Sequence, residues 1–344
     1  MLWEHCQQLV VSSVVFGGYK LPREVPQPLF TPFPQHSPLH PCQHRLCQAP
    51  PIIPHSPPLA MPRGAVIALA HGGGPMPLLG DPESAQMIKS MRERVPEILR
   101  LDDPDPARRP AAIVLVTAHW VAPSGLTFPS ITSGASPDLI FDYYNFPPES
   151  YEYKYPAPGA PDLAARLAEL ARDQGLSPSL HPDRGYDHGV FVPLLLARPA
   201  ADVPVLQVSV MQGDDARAHF ALGRALAALR EERNVAVVGS GFASFHNLRD
   251  MLAGKTAGGD AEFMRLHRAW NAAMTDAVVT EAVGEREDKF AGWRDWPHAY
   301  ASHPANGAEH FMPLAVCAGA AGDGVAKSYV DEYIGLEIHS YYWD

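Results

Sequence analysis

From residue 61 onward the chain alternates two hydrophobic rhythms. Short, largely apolar runs rich in β-branched residues occur at Ala65 to Ala70, Ile113 to Ala118, Val203 to Val210 and Val235 to Val238. Runs of that length and composition predict strands covered on both faces. Between them, Ser84 to Arg100, Pro161 to Asp173, Asp215 to Arg233 and Glu262 to Val279 place apolar residues three and four apart, the spacing of an amphipathic helix. The alternation predicts an α/β fold: a single layered domain with a central, mostly parallel or mixed sheet flanked by helices.

Two segments break the pattern. Residues 1 to 60 hold twelve of the 36 prolines, which remove backbone donors and oppose both helix and central strand, so a disordered tail is expected there and a catalytic domain over 61 to 344. Cys42, His44 and Cys47 in that tail lack the second ligand pair of a zinc template, and Gln8 to Gly18 lacks the basic flank of a targeting signal. Ser124 to Gly159 is rich in Pro, Tyr and Phe, including Phe141-Asp142-Tyr143-Tyr144-Asn145-Phe146. A stretch too apolar for a free linker and too broken for a helix predicts an ordered loop serving as a lid or pocket wall.

Composition narrows the partners. The formal charge of −11 and the absence of a Lys/Arg cluster argue against nucleic acid, whose binding depends on clustered cations releasing counterions. No run of about 18 apolar residues suggests a membrane-spanning helix. Four cysteines in 344 residues make no disulfide framework, so a reducing, cytoplasmic setting is expected. Nothing in the composition specifies an oligomeric state.

The sixteen histidines are more informative, because several follow strands directly. His71 follows the first run in His71-Gly72-Gly73-Gly74-Pro75, His119 follows the second in Thr117-Ala118-His119-Trp120, and His246 follows the fourth after a glycine-containing turn. Ligands of open α/β sheets gather outside the carboxyl ends of the strands, so these imidazoles can converge, and converging neutral imidazoles suggest a metal. His310, in Glu309-His310-Phe311-Met312-Pro313, stands at a predicted helix start. His188, in Gly185-Tyr186-Asp187-His188-Gly189, sits beside a carboxylate between glycines, a setting for proton transfer near a substrate. No G-x-S-x-G elbow, H-E-x-x-H helix or P-loop occurs, which removes the commonest serine-hydrolase, zincin and nucleotide-hydrolysing readings.

Taken in order, His71-Gly72-Gly73-Gly74-Pro75-Met76, Ala118-His119-Trp120, Tyr155-Pro156-Ala157-Pro158-Gly159, Tyr186-Asp187-His188-Gly189, His246-Asn247-Leu248-Arg249 and Glu309-His310-Phe311-Met312-Pro313-Leu314 resemble the class III extradiol dioxygenases of the LigB-like superfamily, and within it the DOPA 4,5-dioxygenase group. The likeness spans roughly residues 61 to 344. It implies an iron(II) site on residues matching the family's ligands, His71 and His119, completed by His246 or His310, with zinc possible in the same place. Glu309 stays open as a ligand, because better-known class III enzymes complete the site with a glutamate. The family's usual His-Gly-Ser-Pro is His71-Gly72-Gly73-Gly74-Pro75 here, one residue longer.

The resemblance further implies that a small aromatic diol and O₂ meet at the metal, with His188 matching the acid/base histidine. Imidazole, titrating near about pH 6.5 when unperturbed, suits that role. Trp120 and the aromatic loop are candidate stacking walls, and Arg184 and Arg249 candidate partners for a substrate carboxylate. Two other readings use the same residues: a non-catalytic binding protein on this fold, and a zinc hydrolase.

Overall fold

The computed structural model describes residues 63–122, 128–256 and 260–344. The expectations for residues 1 to 60 fall outside that range. In chain order the regular elements are β1 (Val66–Ala70), α1 (Ala85–Ile98), β2 (Ala112–Val121), β3 (Ser130–Thr132), α2 (Pro161–Asp173), β4 (Ser179–His181), α3 (His188–Ala197), β5 (Val205–Val210) and α4 (Ala216–Arg233). They continue with β6 (Val235–Gly241), α5 (Leu248–Leu252), α6 (Ala261–Val278), α7 (Val283–Ala291), α8 (Ala299–Ser302), α9 (Met312–Ala320), β7 (Lys327–Tyr333) and β8 (Leu336–Trp343).

The eight strands form one mixed sheet in the order β4-β3-β5-β2-β6-β1-β8-β7. Its centre, β5-β2-β6-β1, is parallel, which is why those four runs read as continuously apolar: both faces are covered. Alternate residues feed two separate cores. Val66, Val114, Val116, Val208 and Val237 point toward α2, α4 and α9, whereas Ile67, Ile113, Leu115, Ala236 and Val238 point toward α1 and α3.

The hairpin of β7 and β8, absent from the expectations above, joins the sheet through β8, antiparallel to β1; with the antiparallel pairing of β3 and β5 at the other side, it makes the sheet mixed. Strand β7 is an edge whose residues are alternately buried and exposed, so its Lys327, Asp331 and Glu332 dilute the apolar signal. Its turn, Ile334-Gly335, carries the two positive φ angles, 46° and 80°, that a two-residue hairpin of matching twist demands.

One buried polar residue braces the loop that leaves β5. His219, on the first turn of α4, sets Nδ1 2.8 Å from the Asp215 carbonyl oxygen, and the Met211 N–H donates to Nε2 at 3.1 Å. This pairing requires the neutral ring, and burial pushes its pKa down to about 4. An unfolded imidazole takes up its proton below about pH 6.5, the folded one only near 4, so stability is lost as pH falls through that interval. The loss is about 1.4 kcal/mol per pH unit for each such group, and His303, pushed down to about 3 by burial, adds with the same sign. Urea unfolding at pH 7 and pH 5 is expected to show the metal-free protein weaker at pH 5 by at least about 2 kcal/mol; equal stabilities would contradict the neutral assignment.

Candidate metal centre and active site

Strand β6 lies between β1 and β2, so the segments after these three adjacent strands leave the sheet side by side. His71 follows β1, with its N–H 3.3 Å from the Gly241 carbonyl oxygen at the end of β6. His119 lies near the end of β2, within the stretch from Thr117 to Val121 where its register with β5 shifts. His310 precedes α9, which packs on β6, and its carbonyl oxygen accepts from Phe242 N–H at 2.8 Å. Three distant stretches of chain thereby bring their imidazoles together.

The Nε2 atom of His119 stands 3.0 Å from Nε2 of His71 and 3.3 Å from Nε2 of His310. Each Nδ1 faces outward to an oxygen: His71 to Ser240 Oγ at 3.0 Å, His119 to Asp142 Oδ2 at 3.5 Å and His310 to Glu309 Oε1 at 3.1 Å. Ser240 donates its own proton to the Gly189 carbonyl, so toward His71 it can only accept. Protons on the three Nδ1 atoms leave the three Nε2 lone pairs aimed at one another. Burial, reinforced by neighbouring imidazoles, drives the pKa values of His71, His119 and His310 well below the ordinary range and keeps the rings neutral. Convergent neutral Nε2 donors with oxygen partners on Nδ1 fit a divalent cation, which is what oriented histidine ligands require.

His246 stands behind this trio. Its ring stacks on His310 at 3.4 Å and 15°, and its Nδ1 is 3.6 Å from Glu309 Oε1. Of the two histidines left open as the third ligand, His310 therefore joins His71 and His119 directly, while His246 shares Glu309 with it. Burial raises the pKa of the Glu309 carboxyl and lowers that of His246 to about 4.

His188 is the first residue of α3 rather than part of a turn, and its ring centroid is 3.8 Å from that of His119. Gly189 makes this approach possible: a Cβ there would sit 2.6 Å from Thr117 Oγ1 and 3.1 Å from the His119 ring. The carboxylate beside His188 in sequence, Asp187, is turned away. It accepts from Thr117 Oγ1 at 2.8 Å and Arg184 Nη2 at 3.1 Å, and burial raises its pKa to about 6.

The partner of His188 is instead Asp142, which sequence reasoning passed over; its only signal was a lone carboxylate inside an aromatic run. Asp142 Oδ1 accepts from the His188 backbone N–H at 2.9 Å and from Nδ1 at 2.8 Å, and Oδ2 faces His119. Burial alone would raise the Asp142 pKa, but the bonds to His188 hold it below its ordinary value. Its position at the start of α3 also favours the anion. With Nδ1–H held by Asp142, His188 keeps Nε2 free for a substrate proton.

Most aromatics of the loop pack inward. Tyr143 and Tyr155 are core residues, and the Tyr143 and His188 rings meet edge to face with centroids 5.8 Å apart. Trp120 is covered by the Arg184 guanidinium at 4.8 Å, so Arg184 is engaged twice, and Arg249 lies exposed on α5.

A layered α/β sheet with a histidine cluster outside its parallel strands is the arrangement of a metal-binding α/β protein. Residues 67–339 match the family described as the catalytic LigB subunit of aromatic ring-opening dioxygenase, and the chain belongs to it. It is 51% identical over 285 residues to Dioxygenase tasH of Hapsidospora irregularis, covering 81% of this chain and 85% of that one. Against 4,5-DOPA dioxygenase extradiol of Beta vulgaris it is 34% identical, over 74% of this chain and 86% of the relative. The crystal structure of an uncharacterized Escherichia coli K12 protein, JW3007, is similar with a TM-score of 0.59 at 28% identity, over 82% of this chain and all of that one. The chain is thus a metal-dependent extradiol ring-cleaving dioxygenase, which sets aside the binding-protein and hydrolase readings. Among the described residues, no helix is long and apolar enough to cross a membrane.

Proposed function

We propose that residues 61 to 344 form a catalytic domain that opens the ring of a small catechol with O₂ at one iron(II). In this reading His71, His119 and His310 hold the metal, with His246 as the fourth imidazole of the centre. The observation that carries it is the convergence of three Nε2 atoms while each Nδ1 faces an oxygen. Zinc fits the same donors, but it has no redox chemistry, and histidine sites with open positions suit iron and oxygen. When bound, iron(II) supplies a Lewis acid that lowers the pKa of the diol and a redox partner for O₂.

His188 takes a diol proton at Nε2 and returns it to the oxygen of the opening ring. Asp142 fixes the ring's tautomer through Nδ1 and steadies the imidazolium while it exists.

Anaerobic loading with iron(II), then oxygen uptake over a panel of catechols, tests the assignment. Iron-dependent uptake with a ring-opened, yellow product is expected. No uptake with iron, or equal uptake with zinc, would overturn it.

Asp142→Asn removes the carboxylate that orients both His188 and His119. Turnover is expected to fall by about 10- to 100-fold, the usual cost of losing an outer partner of an active-site histidine, with the melting temperature little changed. Oxygen uptake and a thermal melt on one preparation check it; full turnover would remove Asp142 from the mechanism.

A further inference from the structure

Next to the histidine cluster is a cavity of about 400 Å³, bounded by the end of β2, the loop after β5 and the segment entering α9. Ligand pockets typically fall between about 300 and 1,000 Å³, so it has room for a small organic group. It adjoins the centre at two points. Glu309 lines it and also pairs with His310 Nδ1, and Val121 lines it two residues beyond His119.

Its walls are built rather than left by a loose loop. His219 secures Met211 as described, Trp293 Nε1 donates to the Asp214 carbonyl at 2.9 Å, and Arg294 Nε binds Asp214 Oδ2 at 2.8 Å. Through its other two nitrogens Arg294 donates to the carbonyls of His303 and Pro304, so one guanidinium ties the loop after β5 to the segment before His310. Both sides of the cavity are thereby held at a set distance.

The lining is mainly uncharged. Met211 and Ala308 are buried, Val121, Gln212, Gly213 and Asn306 stand at the exposed rim, and among the described residues the one ionisable lining group is the Glu309 carboxyl. Among the described residues no Lys or Arg lines it, and Arg184 is already committed to Asp187 and Trp120. A carboxylate brought here would lose its water and find no cation among the lining residues to pair with, whereas an apolar group would gain from burial at about 25 cal/mol per Å².

We propose that this cavity is the subsite for the substituent on the catechol ring, and that it selects bulky, uncharged, largely apolar substituents over those bearing a carboxylate. The proposal rests on the ring-cleavage reading above and adds the substrate class.

The test compares 4-tert-butylcatechol, unsubstituted catechol and 3,4-dihydroxyphenylacetate in the iron-loaded protein, by kcat/KM and by anaerobic calorimetric binding. The wild type is expected to favour the tert-butyl compound over the carboxylate by at least about tenfold, the effect of some 1.4 kcal/mol. Gln212→Trp and Val121→Phe narrow the cavity from separate walls, and each is expected to lower the tert-butyl-to-catechol ratio by about tenfold or more. A wild-type preference for the carboxylate, or ratios unchanged in both variants, would overturn the subsite. Should no catechol be consumed, the ring-cleavage reading fails instead, and the calorimetric ratios still decide the subsite in the same two directions.

Discussion

His71→Ala, His119→Ala and His310→Ala are each expected to purify with a small fraction of one metal per chain and with no measurable ring cleavage. Each substitution removes one of three facing Nε2 donors, those of His71 and His310 lying 3.0 and 3.3 Å from that of His119. Two imidazoles of the trio remain, one donor short of the set that converges in the wild type. Binding and folding are linked, so the wild type should gain thermal stability on adding iron(II) or zinc, while the three variants should gain little. His246→Ala is expected to weaken metal binding by about 10- to 100-fold without abolishing it, because His246 stacks on His310 and shares Glu309 with it. Metal content per chain by elemental analysis, with melts at matched metal concentrations, provides the measurement. Full metal occupancy in any of the three would remove that residue from the ligand set.

His188→Gln should separate chemistry from metal binding. Gln keeps a polar side chain at the start of α3 but cannot accept and return a proton near neutral pH. Turnover is expected to fall by roughly 10² to 10⁴, the usual contribution of a general acid or base, with metal content near that of the wild type. The free His188 Nε2 and the Asp142 bond to Nδ1 support that division, as does the ring's contact with His119. Iron content and rate are read on one preparation. A metal-free variant would make His188 a ligand, and one with full metal and full rate would leave it a structural residue of α3.

These expectations draw on different depths of information. His71, His119 and His246 were legible because a two-face-buried strand announces itself as an apolar run, and a histidine placed just after such a run must lie at the sheet's carboxyl edge. The motif around His310 was legible through its place before α9. Asp142 was not, since a single carboxylate in an irregular aromatic loop has no periodicity; its role exists only because the loop folds back over α3 and meets the His188 N–H. Asp187 misled for the converse reason. Adjacency in sequence suggested pairing with His188, but at the N-terminus of a helix consecutive side chains diverge, and Asp187 turns to Thr117 and Arg184.

By itself the sequence determined the α/β class, the strands covered on both faces, the histidines at strand ends and the family, since these depend on local periodicity and on short motifs in order. Tertiary structure alone decided the order of the strands, the addition of the β7 and β8 hairpin to β1, the joining of His310 to His71 and His119, and the tie that Arg294 makes across the cavity. Each depends on groups tens to hundreds of residues apart meeting within hydrogen-bonding or van der Waals distance. A one-dimensional pattern encodes which face of an element is buried, but not which distant face it is buried against.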